Sequence, residues 1–432
     1  MIATNRGAAF LLVAVLVAAP SLSFGSGFAL FEHGNRGMAM AGAMTAVADD
    51  PSALFWNPGG MAFQTDKGIQ LMLGVTFISP TQTFYGESPY PGTGYEVDQE
   101  DQTFTPVHLY LGIPVNERLE VSFTLNNPWG LGTQWEDDHL GRYISRRAEL
   151  QSFNFGISMA YQLSDRIGFG LGVDYIYSSL ELTQAVGLIN PFNQRLTDVA
   201  DAEIKATDLG NNAFSWNVGL LAKLGKGFSV GAMYRSGFKL DYEGEGRLTQ
   251  VPTGYPEFDG LVAGIFPFDG PTPASTSIEF PDFWTVGLSW QNEKWTFSGQ
   301  YGVMGWSSFD QLAVVFPENP LLSRVVREDY EDAAQVRIGG EFRASKGFAI
   351  QLGWLFDETG QPIASMSPLL GDGDRTGYCG GISFMGKIFR VDIGYMHLDF
   401  DARSTEGTAW DGYDGRYEGM AELAGATLTF TF

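Results

Sequence analysis

Residues 151–177 read QSFNFGISMAYQLSDRIGFGLGVDYIY. Every second residue from Phe153 to Leu163 is apolar, and the residues between them are small or polar. After a short polar turn, Ile167 begins a second run of the same kind, whose opposite face carries glycines and Asp174. A period of two with one wholly apolar face predicts two half-buried antiparallel strands joined by a tight turn.

The same alternation returns along the chain, and its apolar face is rich in aromatic residues. It recurs after Phe348, after Phe389 and at the C-terminus, where Phe430 and Phe432 alternate with threonines. Aromatic residues make up 14% of the chain and charged residues only 18%. Repeated strands with an aromatic-rich face indicate a wall that contacts lipid rather than water.

Short and long connections alternate between these strands. Tight polar turns such as residues 225–227 alternate with long segments such as 87–102, 184–211, 245–276 and 314–328. Tight turns on one side and long loops on the other are typical of outer-membrane barrels. The sequence therefore predicts an all-β fold, a 14-stranded antiparallel transmembrane β-barrel in the outer membrane, with strands at 67–84, 103–113, 118–127, 147–163, 166–183, 212–224, 227–243, 277–291, 294–312, 329–343, 347–358, 376–386, 388–400 and 416–432.

The first residues predict export. Arg6 precedes an apolar run over residues 8–19, and small residues follow it, so residues 1–25 are predicted to be a signal peptide. Cleavage before Ser26 and cleavage after Ser23 both fit this pattern. The run is too short to cross a bilayer as a helix, and because no later apolar stretch is longer, we expect no transmembrane helix.

Charge and cysteine content exclude two further classes of protein. The formal net charge is −24, which argues against a nucleic-acid partner. Cys379 is the single cysteine, so a secreted domain held together by internal disulfides is excluded.

Residues 26–61 lack the alternation and are dominated by alanine and glycine. Asp49-Asp50-Pro51-Ser52 predicts the start of a short helix, and Asn57-Pro58-Gly59-Gly60 predicts its end. A barrel of fourteen strands encloses a lumen wider than its own side chains fill. We therefore expect residues 26–66 to form compact helical turns that plug a barrel spanning residues 67–432.

This N-terminal segment also resembles a known family. The matching residues are Gly27-Phe28-Ala29-Leu30, Glu32, Arg36-Gly37, Ala41-Gly42-Ala43, Ala48-Asp49-Asp50-Pro51-Ser52 and Asn57-Pro58. They are similar to the hatch of the FadL-type outer-membrane transporters of long-chain fatty acids and other hydrophobic compounds. The family motif is Asn-Pro-Ala, and Gly59 stands here where the alanine is expected. Residues 26–66 are called the hatch below.

The third predicted strand is interrupted. Its alternation over residues 119–125 ends at Asn126-Asn127-Pro128-Trp129-Gly130. Because proline cannot donate to a ladder and glycine favours bulges, the sheet is expected to open or bend here. In the family the third strand is kinked inward, so the resemblance implies a lateral opening at Asn126, Asn127, Pro128 and Gly130. The alternative is a strand end that runs into an outer loop.

The resemblance implies a route for a hydrophobic substrate that enters by passive diffusion. Capture is expected at an apolar groove between the outer loops, formed by Leu188, Ile189, Phe192, Leu261, Val262, Ile265, Phe266 and Phe268. Transfer to an inner pocket would involve Phe28, and Asn57, Pro58 and Gly59 would form the gating part of the hatch. Release is expected sideways through the third strand.

Polar residues share the strand face opposite the aromatic residues. They are Asp174, Arg235, Gln300, Arg337, Glu341, Gln351, Arg390 and Asp392. A charge is costly toward lipid and tolerated toward water or an opposite charge, so these residues are expected to face the lumen. Two interpretations are open: a network of ion pairs joins the barrel and the hatch, or one of the arginines binds a substrate carboxylate.

Other functions find weaker support. Gly227-Phe228-Ser229-Val230-Gly231 matches a nucleophile elbow, but it begins a strand with no helix after it, and the four histidines are scattered. We therefore expect a transporter, not an enzyme, with no cofactor and no metal site. The alternative to the absence of a metal site is a Ca²⁺ site in the outer loops. Its candidate ligands are Asp372, Asp374, Asp411 and Asp414. The competing function is a water-filled porin for small polar solutes.

The expected partners follow from this assignment. They are a hydrophobic small molecule, the lipid of the outer membrane, and the barrel-assembly machinery, which would recognise the terminal Phe432. We expect a monomer and no nucleic-acid partner.

Overall fold

The computed structural model describes residues 27–208 and 210–432, so the predicted signal peptide and Ser26 lie outside it. The strands are β1 (Gln70–Gly86), β2 (Glu96–Asp98), β3 (Val107–Asn116), β4 (Leu119–Asn126), β5 (Gly130–Gln134), β6 (Arg147–Ser164), β7 (Ile167–Ile189), β8 (Leu196–Ala206), β9 (Asn212–Gly225), β10 (Phe228–Arg235), β11 (Phe238–Gln250), β12 (Thr272–Phe280), β13 (Phe283–Gln291), β14 (Trp295–Met304), β15 (Gln311–Val314), β16 (Arg324–Arg327), β17 (Ala333–Ser345), β18 (Phe348–Asp357), β19 (Arg375–Met385), β20 (Phe389–Ser404) and β21 (Gly415–Thr431). The helices are α1 (Asn35–Ala39), α2 (Ala53–Trp56) and α3 (Pro256–Ala263), with 3₁₀ turns at Pro58–Phe63, Thr65–Lys67, Trp306–Ser308, Pro320–Leu322 and Ile363–Ser365. No helix in these ranges is long and apolar enough to cross a membrane.

The sheet closes on itself because its first and last strands pair. β1 and β21 form an antiparallel ladder that runs from Gln70 opposite Thr431 to Gly86 opposite Gly415. Four of the transmembrane strands are built from two elements each: β4 with β5, β8 with β9, β10 with β11, and β12 with β13. The fold is a closed 14-stranded antiparallel β-barrel, which confirms the predicted fold class.

The alternation along the strands separates lipid from lumen as expected. On the β6–β7 hairpin, Ile157 and Leu171 point outward and are 56% and 47% exposed, whereas Asp174 points inward and is 4% exposed. The predicted lumen face is buried at six of its eight positions, namely Asp174, Gln300, Arg337, Glu341, Gln351 and Asp392. Arg235 and Arg390 are half-buried on the same face. Pairing of the first and last strands removes the two free edges that an open sheet would expose to hydrocarbon.

The hatch precedes β1 and lies inside the barrel. Its α1 helix is fully buried and packs against β18, β19, β20 and β21. The predicted short helix is present as α2; Ser52 precedes its first residue, and the Asp50 carboxylate accepts the Ser52 amide at 3.0 Å. Asn57 ends α2, and its side chain accepts the amide of Gly59 at 3.1 Å.

Two predicted outer loops contain more regular structure than expected. Residues 184–211 continue β7 to Ile189 and return as β8, and residues 245–276 contain the end of β11, all of α3 and the start of β12. Neither segment carries the alternating aromatic face that marks the other strands in the sequence. One strand is shorter than predicted. The strand predicted at 294–312 ends at Met304, and Gly305 precedes a 3₁₀ turn.

The first prediction tests the outward register of the last strand. Phe430→Asp places a carboxylate toward lipid and removes an aromatic side chain, so we expect the barrel to lose about 1–2 kcal/mol of unfolding free energy. Thr429→Asp places the same charge in the lumen, opposite Arg390 of β20, and should be tolerated. Equal losses in a gel-mobility unfolding assay would contradict this register.

Candidate functional site

A cavity of about 410 Å³ lies beside residues 27–32 of the hatch. Most of its wall is apolar, and the apolar lining includes Phe28, Leu30, Ile78, Phe104, Trp129, Leu131, Leu150, Phe153, Leu398, Phe400 and Leu423. The size and the apolar lining are those of a small-molecule site, for which about 300–1,000 Å³ is usual.

The third transmembrane strand is interrupted where it passes this cavity. β4 ends at Asn126 and β5 begins at Gly130, and both elements pair with β6. β3 pairs with β4 as far as His108 opposite Asn126, and within the described ranges residues 101–106 form no ladder with β5. The wall therefore has a gap between strands two and three. The cavity is lined from both edges of this gap, by Phe104, Thr105, Pro106, Val107, Asn127, Gly130, Leu131 and Gly132.

The hatch supplies the partners that the interrupted strand lacks. The Leu30 amide donates to the Pro128 carbonyl at 2.9 Å, and the Gly130 amide donates to the Phe28 carbonyl at 3.0 Å. Residues 29 and 129 form an antiparallel bridge between these two bonds. The beginning of the hatch thus acts as a short extra strand inside the wall and fixes the bend.

The Asn127 side chain crosses the break at one end of the gap. Its Nδ2 donates to the Ser152 carbonyl of β6 at 2.6 Å, and its Oδ1 accepts the Val107 amide of β3 at 2.8 Å. At the other end, the Glu100 amide donates to the Gln134 carbonyl at 2.8 Å. These bonds replace the missing ladder and mark the limits of the gap.

An aromatic ring fills part of the space between these limits. The Phe104 ring lies so close to Gly132 that a Cβ on the glycine would be 1.9 Å from it. Phe104 comes from the strand-two edge and Gly132 from the strand-three edge, so their contact narrows the gap. Only glycine permits this approach.

Phe28 lies in an aromatic cluster at the wall of the cavity. Its ring makes edge contacts with the rings of Trp306 at 4.7 Å, Phe280 at 5.6 Å, Phe309 at 5.8 Å and Trp129 at 6.2 Å, measured between centroids. Such arrangements add about 0.5–1.5 kcal/mol per pair beyond area burial. The structure thus brings Phe28 and the break in strand three together at one cavity.

Asn126 lies below the cavity in a buried polar network. Its Nδ2 lies 3.1 Å from the Tyr110 hydroxyl and 3.2 Å from Nδ1 of His33 in the hatch. Nε2 of His33 donates to the Leu30 carbonyl at 3.1 Å. Burial lowers the pKa of His33 well below its usual value, so the ring is neutral and holds the hatch by hydrogen bonds.

The Asn57-Pro58-Gly59 motif lies against the barrel wall, away from the cavity. Asn57 Nδ2 donates to the Thr45 carbonyl at 2.7 Å inside the hatch and to the Leu220 carbonyl of β9 at 3.0 Å. A Cβ on Gly59 would lie 2.8 Å from the carbonyl oxygen of Gly219. Gly59, which stands where the family has alanine, therefore lies so close to the barrel wall that a side chain there would clash with it.

Ion pairs join the hatch to the barrel. Nε of Arg36 lies 2.8 Å from Glu341 on β17, and the guanidinium also binds Asp49 and Asp50. Arg390 binds Glu341 from the other side at 3.2 Å. These contacts support the interpretation that a network of ion pairs joins the barrel and the hatch. They engage Arg390, one of the three arginines predicted to face the lumen.

The other two lumen arginines are also engaged. Arg337 pairs with Asp357 at 2.5 Å and donates to the Ala41 carbonyl of the hatch at 3.2 Å. Arg235 donates to the Phe55 carbonyl at 3.2 Å and lies over the ring of Phe55. Neither arginine lines the cavity.

The eight apolar loop residues lie outside the cavity and fall into two groups. Leu188, Val262, Phe266 and Phe268 pack with Val199 and Phe258 in a small separate core. Ile189, Phe192, Leu261 and Ile265 are exposed on the β7–β8 hairpin and around α3. Phe192 stacks on Tyr255 at 5.6 Å, which connects the hairpin to the segment before α3.

The acidic loop residues have protein partners. Asp372 pairs with Arg375 at 2.9 Å, and Asp374 accepts the Thr359 amide at 2.7 Å. Asp414 accepts the Thr405 hydroxyl at 2.9 Å, and Asp411 accepts the Tyr413 amide. In the described ranges, no group of three or more His, Cys, Asp or Glu side chains could hold a metal ion.

Comparison with known proteins decides the family. The family model described as outer membrane protein transport protein (OMPP1/FadL/TodX) matches residues 15–432. The chain belongs to this family. The resemblance drawn from the hatch is thereby confirmed, and the location in the outer membrane with it. Members of the OMPP1/FadL/TodX family are transport proteins and not enzymes.

Family members align with nearly the whole chain. The long-chain fatty acid transport protein of Escherichia coli is 24% identical over 431 residues, covering 95% of both chains, and the 47 kDa outer membrane protein of Pasteurella multocida is 22% identical, covering 92% and 93%. Among solved structures, a Pseudomonas aeruginosa FadL homologue has a TM-score of 0.80 at 18% identity, covering 94% of this chain and 100% of that one. The Pseudomonas putida toluene transporter TodX has a TM-score of 0.70 at 17% identity, covering 93% and 99%. At these identities the structures support the fold.

Several residues at the cavity were not identified from the sequence. Trp129, Phe104, Arg375 and Asp372 line it, and Phe280, Trp306 and Phe309 contact the ring of Phe28 without lining the cavity themselves. The sequence does contain a signal for two of these aromatic residues. Phe280-Pro281 and Gly305-Trp306 place an aromatic residue beside a proline or glycine that interrupts or ends a strand, as Pro128-Trp129 does. The family-matched Glu32 is also in the lining.

The second prediction concerns Gly59. Gly59→Ala forces a methyl group against the wall, so we expect about 1–3 kcal/mol of destabilisation from overpacking. Gly260→Ala is the matched control, because a Cβ there meets open space on the exposed part of α3. Thermal unfolding midpoints should fall for the first variant and stay level or rise for the second. A Gly59→Ala protein as stable as wild type would refute the close fit.

The third prediction concerns the filling of the lumen. Deletion of residues 26–61 removes α1, α2 and the ion pairs of Arg36, so the barrel should assemble but conduct ions in planar bilayers. Heat-modifiable migration on gels would establish that the deleted protein is folded. Conductance no higher than that of the intact protein would show that the hatch does not block the lumen.

Proposed function

We propose that the protein carries hydrophobic molecules into the outer membrane by passive diffusion, with capture at the outer loops and lateral release through the third strand. The observation that carries this proposal is the cavity that reaches both edges of the gap between strands two and three. Relatives named for long-chain fatty acid transport and for toluene transport support the hydrophobic class of substrate.

Capture is assigned to the exposed apolar residues of the outer loops. Ile189, Phe192, Leu261 and Ile265 are each more than half exposed on the β7–β8 hairpin and around α3, and a patch of exposed apolar side chains is typical of an interaction site. They offer a first contact for a hydrophobic molecule that leaves the aqueous phase. The loop residues in the small buried core, such as Val262, hold this surface in place.

We propose the cavity as the second binding site on the route, after capture at the outer loops. Phe28 and Trp129 provide aromatic surface on one side, and the Phe104 ring stands at the gap. Movement of Phe104 away from Gly132 would widen the passage without disturbing the Asn127 bonds below it. A molecule leaving there enters the hydrocarbon of the outer leaflet directly.

Lateral release has a simple energetic basis. Passage straight through the hatch would expose the substrate to periplasmic water at about 0.8 kcal/mol per CH₂ group. It would also lead through a hatch that the buried Arg36–Glu341 contact holds against the barrel. Leaving sideways avoids both, because the molecule moves from one apolar environment to another.

The fourth prediction tests this exit. Replacing residues 126–128 (Asn-Asn-Pro) by Thr-Val-Thr should let strand three pair regularly with strand two and close the gap. We expect cellular uptake of a hydrophobic substrate to fall at least tenfold, while surface levels and ligand capture by the outer loops persist.

A single variant controls for the polar network below the cavity. Asn126→Thr removes the contacts to Tyr110 and His33 but keeps Asn127 and Pro128, so it should retain most uptake. If the triple replacement transports as well as wild type, lateral release is wrong and a route through the barrel is favoured.

A further inference from the structure

Within the part of the chain that the structure describes, three charged side chains line the cavity, and acidic groups outnumber basic ones. Two carboxylates, Glu32 and Asp372, and one guanidinium, Arg375, belong to its lining, and the remaining lining is apolar or uncharged. The polar groups gather near the beginning of the hatch, where Arg375 Nη2 donates to the Gly27 carbonyl at 2.5 Å. A ligand in this cavity therefore meets one basic and two acidic groups.

The positive charge is already neutralised. Arg375 pairs with Asp372 at 2.9 Å, and Asp372 is itself held by the Thr359 hydroxyl at 2.8 Å. The guanidinium also lies over the ring of Phe400, with its centre 5.0 Å from the centroid. Arg375 is thus fixed by an acid, a carbonyl and an aromatic ring.

Glu32 is not paired directly with a guanidinium among the described residues, although Arg337 and Arg375 lie near enough to act on it electrostatically. Its carboxylate accepts the Phe31 amide at 3.0 Å, and within the part of the chain that the structure describes it makes no ion pair. Burial raises the pKa of Glu32, although backbone hydrogen bonds and the guanidinium groups of Arg337 and Arg375 act in the opposite direction. The same desolvation acts on any second carboxylate placed beside it.

We propose that this cavity selects uncharged hydrophobic molecules, such as long-chain alcohols, esters and hydrocarbons, over ionised fatty acids. The inference rests on the proposed function and specifies the substrate class of the same site. An anionic headgroup would have to lose its water next to Glu32, while Arg375, the one cation that the described residues contribute to the lining, is bound to Asp372. A neutral headgroup loses less on leaving water and carries no charge that Glu32 would repel.

Binding of matched ligands tests this preference. The ligands are 12-bromododecan-1-ol, methyl 12-bromododecanoate and 12-bromododecanoate, and the protein is held in lipid nanodiscs at pH 8. Bromine quenches the fluorescence of Trp129, which lines the cavity, and a Trp129→Phe variant gives the background from the other tryptophans. After correction for partition into protein-free nanodiscs, the alcohol and the ester should bind at least tenfold more tightly than the anion.

Two variants connect the preference to its cause. Glu32→Gln removes the unpaired charge. It should reduce the ratio between the affinity for the alcohol and the affinity for the anion at least threefold. Glu257→Gln removes the same charge from the exposed part of α3, and the ratio should stay as in wild type. An unchanged ratio in Glu32→Gln would overturn the assigned cause.

The outcomes separate this inference from the proposed function. Binding of the anion as tight as that of the alcohol would overturn the selectivity and leave hydrophobic transport intact. Failure of all three ligands to quench Trp129 would overturn the cavity as a station for hydrophobic molecules, and the selectivity with it.

Discussion

The hydrogen bonds between the hatch and the interrupted third strand are the contacts on which the rest of this structure depends. Backbone groups at membrane depth must find partners inside the protein, because hydrocarbon offers none. At the break in strand three, the partners are the Leu30 amide and the Phe28 carbonyl, and the side chain of Asn127 supplies two more. These bonds give partners to the peptide groups of Pro128, Gly130 and Val107 at the place where the wall is open.

These bonds also place the aromatic cluster and the charges of the cavity. Phe28 follows directly from the bonded backbone, so its ring is held against Trp129 and Trp306. The Gly27 carbonyl lies within reach of Arg375, and Glu32 ends the same stretch. One short segment thus joins the bend in the wall, the apolar lining and the selectivity proposed for it.

The deeper part of the hatch is held by close packing and by ion pairs. Glycines on the barrel wall let its backbone approach, as at Gly219 beside Asn57 and at Gly231 beside Thr45. The Arg36–Glu341 pair is fully buried, and removal of one partner from a buried pair commonly costs about 3–5 kcal/mol. The deeper part of the hatch is thus held firmly in the lumen. This is consistent with a route in which the substrate leaves the barrel sideways before it reaches this part.

Much of this arrangement was predictable from sequence because the membrane imposes a strict pattern. Lipid requires an apolar residue at every second position, so strands such as β6 and β7 and the inward direction of Asp174 follow from alternation. Pro128 marked the break because its missing donor is a local property. The extent of β8, the contact of Phe104 with Gly132 and the pairing of Arg375 with Asp372 were not predictable, since they depend on which strands become neighbours and on loops that have water on both faces.

Photolabelling with a neutral long-chain alcohol that carries a diazirine would test the central claim most directly. With the protein in nanodiscs, the route described here predicts adducts on both edges of the gap, within residues 104–107 and 127–132. Adducts concentrated instead on the 3₁₀ turns Pro58–Phe63 and Thr65–Lys67, with none at the gap, would show that the ligand passes through the hatch toward the periplasm and would contradict lateral release.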